Sequence, residues 1–245
     1  MADKIDLSIV IPAFNETKRL PATLLRISEY CKERFPARHE IVVVDDGSTD
    51  GTLALLKQFQ ETIPELRIVS YSPNRGKGFA VKSGIEKAEG RHLLFCDADL
   101  STPIEEVEKI LRHLEDGYPV AIGTRKHPGA NVTKRQPFWR ESMGKVFTWI
   151  SNRTLGLRVS DFTCGFKGFE RGPARQIFGA LRIERWAFDS EILFLASYYN
   201  FRIAEIPVEW ANSPETKVRI VRDTLTSFAA LLRIRWNQLV GRYRQ

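Results

Sequence analysis

The chain has 245 residues, 43% of them hydrophobic and 27% charged, with a formal net charge of +7. That length and apolar content suit one large α/β domain with a sizeable core, and the positive balance calls for an anionic partner: nucleic acid, a phosphorylated substrate or an acidic lipid. Three scattered cysteines (Cys31, Cys96, Cys164) exclude a disulfide framework or a zinc site, residues 1–6 carry no apolar signal region, and no uncharged run approaches the ~18 residues of a membrane span.

Leu7–Pro12 reads as a buried strand stopped by proline, followed by a helix from about Lys18 to Phe35 with apolar spacing at Leu20, Leu24, Leu25, Ile27 and Tyr30. Glu40–Asp45 is a second strand, broken at Asp46-Gly47-Ser48, and Asp50 is expected to cap a helix running to about Ile63. Leu66–Tyr71 is the third strand, and Asn74-Arg75-Gly76-Lys77-Gly78 opens a helix ending near Gly90. Leu93-Leu94-Phe95-Cys96 is a short, fully buried strand that runs into Asp97-Ala98-Asp99, and a helix after Pro103 extends to about Gly117. Val120–Arg125 reads as a fifth strand and residues 126–137, rich in Pro, Gly, Lys and Arg, as a loop. A helix over Phe138–Leu155, an irregular Asp161–Phe169 segment running into a strand, helices near Pro173–Phe178 and Phe188–Tyr199, and a strand over Phe201–Val208 complete the pattern.

Asp45, Tyr71 and Asp97 end their strands at a regular spacing of 26 residues, a natural length for one strand–helix–strand crossover. Such crossovers give parallel strands with all carboxyl ends on one edge, where open sheets bind ligands. Pro12, Asp45, Asp46, Asp97, Asp99 and Arg125 are all expected at that edge.

Side chains two apart on a strand point the same way, so Asp97 and Asp99 aim at one point if the chain stays extended through Ala98. Two hard oxygen ligands there suit Mg²⁺ or Mn²⁺, which completes its shell with water and substrate phosphates; an isolated pair of this kind can equally be a turn. Asp45 and Asp46 are adjacent like charges that can accept hydrogen bonds from a base N–H or a ribose hydroxyl. Asn74–Gly78 lacks the spacing of a P-loop. Its helix N-terminus, with Arg75 and Lys77, either attracts an anion or only makes the turn. Arg125 with Lys134, Arg135 and Arg140 forms a basic cluster suited to an anion, and the four histidines show no ligand spacing.

Near the C-terminus, Val218, Ile220, Val221, Leu225, Phe228, Leu231, Leu232, Trp236 and Leu239 recur at roughly helical spacing among Lys217, Arg219, Arg222, Arg233, Arg235, Arg242 and Arg244, against only Glu215 and Asp223. This is an amphipathic helix that either docks on the core or seats on an anionic membrane.

Ile9–Glu16, the Asp45–Thr52 run, Asp97-Ala98-Asp99, Asn74–Ala80, Asp161–Phe169, Arg185-Trp186-Ala187-Phe188-Asp189 and Pro207-Val208-Glu209-Trp210 together resemble the inverting family 2 glycosyltransferases of the GT-A fold. The likeness is to the dolichyl- or polyprenyl-phosphate glucosyl- and mannosyltransferase branch, with the glucosyl members closest. The resemblance implies a single GT-A (Rossmann-like) catalytic domain over residues 1–215, a mostly parallel central sheet flanked by helices, and a basic amphipathic C-terminal helix over 216–245. It implies that Pro12, Phe14, Glu16, Asp45, Asp46 and Lys77 hold the nucleotide with Asp97, that Asp97 and Asp99 coordinate Mg²⁺ or Mn²⁺, that Arg125 and Arg140 bind acceptor or leaving-group phosphate, and that Asp189 orients the sugar. The expected partners are a nucleotide diphosphate sugar (UDP-glucose, or GDP-mannose), a polyprenyl or dolichyl phosphate and an anionic membrane surface, with no nucleic acid. The expected location is cytoplasmic, peripheral on the cytoplasmic membrane face.

A phosphate acceptor is largely dianionic at neutral pH and needs cations rather than a general base. A soluble enzyme acting on a saccharide hydroxyl is the alternative, and it requires a carboxylate base, for which Asp161 and Asp189 are the candidates. A sugar nucleotidyltransferase is disfavoured, because Pro12-Ala13-Phe14-Asn15-Glu16 is neither Gly-rich nor basic.

Overall fold

Runs of aliphatic residues that hide both faces make the centre of the molecule, which a computed structural model describes over residues 5–36, 38–213 and 220–244, the last segment with side chains from residue 223. The strands are β1 (Leu7–Ala13), β2 (His39–Asp46), β3 (Leu66–Tyr71), β4 (His92–Cys96), β5 (Val120–Thr124), β6 (Asn131–Lys134), β7 (Phe166–Glu170), β8 (Ile203–Pro207) and β9 (Glu209–Ala211). The helices are α1 (Leu20–Arg34), α2 (Thr52–Thr62), α3 (Lys77–Lys87), α4 (Val107–Glu115), α5 (Phe138–Leu155), α6 (Arg171–Ala180), α7 (Phe188–Tyr198) and α8 (Ile220–Leu239).

Seven strands form one sheet in the order β3-β2-β1-β4-β7-β5-β8, parallel except for β7. Alternate side chains serve two cores. Val10, Val42, Val44 and Phe95 face α3, α6 and α7, where Leu231 and Ile234 of α8 join them, while Ile9, Ile11, Ile41 and Val43 face α1 and α4. Burial on both faces is why β2 reads as an unbroken apolar run. Gly84 lets α3 lie directly on the sheet, since a Cβ there would come within 2.3 Å of Val10 Cγ1. The N-terminus of α3 is thereby fixed at the carboxyl edge.

The mostly parallel α/β sheet is as expected, with four differences in detail. First, β7 runs antiparallel between β4 and β5, pairing Phe95 with Lys167 and Val120 with Phe169. Second, the expected loop 126–137 contains β6, which pairs with β9 in a separate two-stranded sheet. Third, β4 stops at Cys96 and the chain turns at Ala98 and Asp99, with Leu100 N–H bonded to Asp97 O at 3.1 Å. The extended run needed for strand alternation to align Asp97 with Asp99 is therefore absent. Fourth, Gly51, at φ +89°, takes the cap position of α2, while Asp50 accepts from Thr52 N at 3.1 Å from one residue earlier.

All three cysteines are free and buried. The boundary expected at 215/216, the apolar and charged positions 215–219 and the first four residues lie outside the described residues.

Candidate active site

The carboxyl edge of the sheet opens into a cavity of about 1180 Å³. Pro12, Phe14 and Glu16 reach it from the end of β1, Asp97 and Asp99 from the turn after β4, and Arg125 from the end of β5. Lys77 enters from the first residue of α3, Asp189 from the first turn of α7 and Arg140 from the first turn of α5. Asp46 also lines it. Asp45 does not: it is buried, accepting from Ser48 N at 3.2 Å and Ser70 Oγ at 3.1 Å, and so ties the turn after β2 to β3.

Asp46 shapes the neighbouring loop. Its carboxylate accepts from Arg75 N (2.8 Å), Gly76 N (2.9 Å) and Asn74 Nδ2 (2.7 Å). Gly76 is required in that loop, because its φ is +113° and a Cβ would sit 2.7 Å from Glu184 O. Arg75 leaves the cavity to lie over the Phe79 ring and pair with Glu184. Lys134, on β6, is exposed and also lies outside the cavity lining.

The carboxylates at the edge meet cations. Asp97 Oδ1 lies 2.5 Å from Lys77 Nζ in a close ion pair. Behind it the backbone of Gly165 leaves room for the carboxylate and nothing more, since a Cβ there would come within 2.1 Å of Asp97 Oδ2. Asp99 accepts from Ser101 N at 3.1 Å and faces Arg19 Nη1 at 3.6 Å, while Arg19 grips Glu16 through two hydrogen bonds of 2.7 and 2.5 Å. Burial opposes the charge on Lys77, but Asp97, Asp189 and Asp99 together outweigh it and hold the ammonium above its ordinary pKa.

Asp189 sits deeper. Its Oδ1 accepts at 2.5 Å from Lys167 Nζ, a fully buried ammonium that also donates to Phe162 O and Cys164 O. Burial pushes the Asp189 carboxyl up despite Lys167 and Lys77.

Arg125 binds Asp161 through two parallel bonds, Nε to Oδ2 at 2.7 Å and Nη2 to Oδ1 at 2.8 Å, and lies over the Trp210 ring. Asp161 is completely buried; burial works against its charge, but the Arg125 guanidinium prevails and holds the carboxyl below the usual range. This removes Asp161 as a general base: both oxygens are engaged, the group is poorly basic and it does not line the cavity.

Sequence reasoning assigned no role to several lining residues. Lys126, expected only as part of a loop, donates to Gly144 O (3.2 Å) and Thr148 Oγ1 (2.5 Å) of α5, and burial lowers its pKa. Trp139, Trp186 and Trp210 also line the cavity. Nothing in local spacing marks them, because the helix, the short strand β9 and the loops that carry them are brought to the edge only by the tertiary fold.

Among the described residues no group of three or more His, Cys, Asp or Glu side chains could enclose a metal ion. Asp97 and Asp99 do fit a cation that takes only two protein oxygens and completes its shell from substrate phosphates and water. Both line an open cavity, and the close partner of the buried Asp97 Oδ1 is a side-chain cation, Lys77 at 2.5 Å, that a metal ion can displace.

A family model described as Glycosyl transferase family 2 matches residues 8–178. The dolichyl-phosphate beta-glucosyltransferase of Dictyostelium discoideum is 36% identical over 98% of this chain and 76% of its own length. That of Saccharomyces cerevisiae is 36% identical over 99% of this chain and 78% of its own. Among solved structures, glucosyl-3-phosphoglycerate synthase from Mycobacterium tuberculosis, in complex with Mn²⁺, uridine diphosphate and phosphoglyceric acid, shares the fold with a TM-score of 0.68 at 17% identity, covering 94% of this chain and 78% of that one.

Proposed function

The chain belongs to glycosyl transferase family 2, and from that membership we propose that it transfers glucose, with inversion, from UDP-glucose to a polyprenyl or dolichyl phosphate at a membrane surface. The observation that carries this reading is the mixed lining of one cavity. The carboxylates Asp97, Asp99 and Asp189 share it with Lys77 and with the basic side chains Arg125, Lys126, Arg135 and Arg140.

In this assignment Pro12, Phe14, Glu16, Asp46 and Lys77 border the nucleotide, and Asp45 supports them by holding the turn after β2. Asp97 and Asp99 would hold Mg²⁺ or Mn²⁺, which supplies charge neutralisation for the departing diphosphate when bound. Arg125 and Arg140 hold the acceptor phosphate in line with the sugar, and Asp189 orients the sugar. A dianionic phosphate acceptor needs no proton removed, in keeping with a site where Asp161 is committed to Arg125. Residues up to about 215 form the catalytic domain and the rest the basic helix.

The membrane contact is assigned to a face shared by two helices. Phe138, Val146 and Trp149 of α5 and Leu232, Trp236 and Leu239 of α8 are exposed, with Lys145, Arg153 and Arg233 also exposed on the same helices. The helices pack through Phe147 and Phe228, whose ring centroids are 5.7 Å apart. No helix among the described residues is long and apolar enough to cross a membrane. Such a face suits an interfacial seat on the anionic cytoplasmic leaflet and brings the cavity to the lipid headgroups.

The test is transfer from UDP-glucose to a short polyprenyl phosphate in anionic vesicles, with Mn²⁺ or Mg²⁺ and with chelator, read as glucosyl lipid formed. Metal-dependent product that is lost in Asp99→Ala is expected. Product from a free glycan acceptor instead, or full activity of Asp99→Ala, overturns the assignment.

A further inference from the structure

We propose that Trp186 is the platform on which the donor's hexose packs, and so a residue that sets how tightly the sugar is held; this deepens the donor reading above and rests on it. Trp186 lines the cavity in the loop between α6 and α7, three residues before Asp189, and is partly buried. Its ring centroid lies 5.7 Å from Lys77 Nζ, the same amine that stands 2.5 Å from Asp97 Oδ1. The Lys77 ammonium thus lies beside both the indole and the carboxylate assigned to the metal on the diphosphate. A sugar attached to that diphosphate starts within reach of the indole.

The loop is held before any ligand arrives. Glu191, buried on α7, accepts from Arg182 N at 2.9 Å and Ile183 N at 2.6 Å, and Phe79 N of α3 donates to Glu184 O at 3.0 Å. Phe188 N closes back on Arg185 O at 3.2 Å. The far oxygen of Glu191 accepts from the Tyr243 hydroxyl, so the turn after α8 braces the same loop. An aromatic ring offered from a braced loop loses little freedom on binding.

The chemistry matches the donor. A pyranose in its chair form carries C–H bonds on its two faces, and a hexose with equatorial hydroxyls presents those faces unobstructed. An indole offers a broad apolar face of matching size. The hydroxyls at the rim of the ring are then left for polar neighbours such as Asp189.

The experiment compares UDP with UDP-glucose by calorimetry, in the presence of Mn²⁺, on the full chain and on Trp186→Ala and Trp186→Phe. Trp186→Ala should weaken UDP-glucose about tenfold and leave UDP within about twofold, with Trp186→Phe between them. The KM for UDP-glucose should rise in the same order. If Trp186→Ala weakens UDP and UDP-glucose equally, or neither, the indole is not a sugar platform and this inference falls while the donor assignment stands. If the unmodified chain binds neither ligand, the donor assignment itself falls. Trp186→Phe keeps an aromatic ring in the loop, so a folding defect confined to the alanine variant would show as a normal phenylalanine variant, which overturns the inference as well.

Discussion

Lys77 Nζ and Asp97 Oδ1 meet at 2.5 Å, joining the first residue of α3 to the residue that follows β4. A protein cation thus sits against a carboxylate assigned to a divalent ion, and the two compete for one oxygen. Replacing Lys77 with Met removes the competitor. Mn²⁺ should then bind the donor-free chain about tenfold more tightly, as read by electron paramagnetic resonance, because one repelling charge is gone from a poorly solvated site. Donor affinity should fall in the same variant, since the ammonium also faces the diphosphate. Unchanged or weaker Mn²⁺ binding would separate Asp97 from the metal.

The Arg125–Asp161 pair is a stability element as much as a site element. Asp161→Asn leaves the guanidinium without its buried counter-charge, a defect that costs about 3–5 kcal/mol. The melting temperature at neutral pH should drop by about 10 °C, measured calorimetrically. A change of under about 2 °C would mean the pair is stabilised elsewhere.

The same pair sets an acid response. Arg125 keeps the Asp161 carboxyl below the usual range, so below about pH 4 the unfolded chain binds this proton more readily than the folded one. The contribution is complete above the unfolded pKa of about 4 and is lost as the pH falls through that value towards the folded one. The melting temperature of the parent chain should therefore fall more steeply between about pH 5 and pH 3 than that of Asp161→Asn. Parallel slopes would contradict the assignment.

Tyr243→Phe keeps the ring in the core and deletes the hydroxyl that Glu191 accepts from. An orphaned buried carboxylate oxygen costs about 1–3 kcal/mol. Because Glu191 also holds the 182–183 backbone, the KM for the sugar nucleotide should rise several-fold while kcat is largely kept. Loss of kcat with KM unchanged would show that the brace serves some other step.

Trp149 and Trp236 are exposed on α5 and α8. Changing both to Ser should weaken flotation with anionic vesicles by about tenfold or more and leave the melting temperature unchanged. Retained binding would remove this face from the membrane contact.

Much of the sheet was legible because its strands hide both faces, and continuous apolar runs ending in polar residues mark their lengths and their carboxyl ends. The 26-residue spacing worked for the same reason: each crossover repeats one packing problem. A strand was expected at the end of Asp161–Phe169, but its placement was not legible, since nothing within Phe166–Glu170 says that β7 inserts between β4 and β5 in the opposite direction. The turn at Ala98 stayed an open alternative because Asp97-Ala98-Asp99 is compatible with both a strand and a turn. Asp161 stood as a candidate base for a hydroxyl acceptor because its partner lies 36 residues away, and the pairing exists only once β5 and the loop before β7 reach the same edge. Trp186, seen only as part of a family motif, and Lys126, seen only as loop, had no readable place in the cavity for the same reason.

Insertion of β7 against the direction of its neighbours has an engineering consequence. It delivers the backbone of Gly165 to Asp97 and the ammonium of Lys167 to Asp189, so one strand sets both contacts. Side chains alternate faces, and a slip of a single residue would turn Lys167 to the other side of the sheet. Anyone transplanting this pocket onto another scaffold would have to carry the reversed strand with its alignment intact. The acidic residues moved alone would arrive without the part that spaces them.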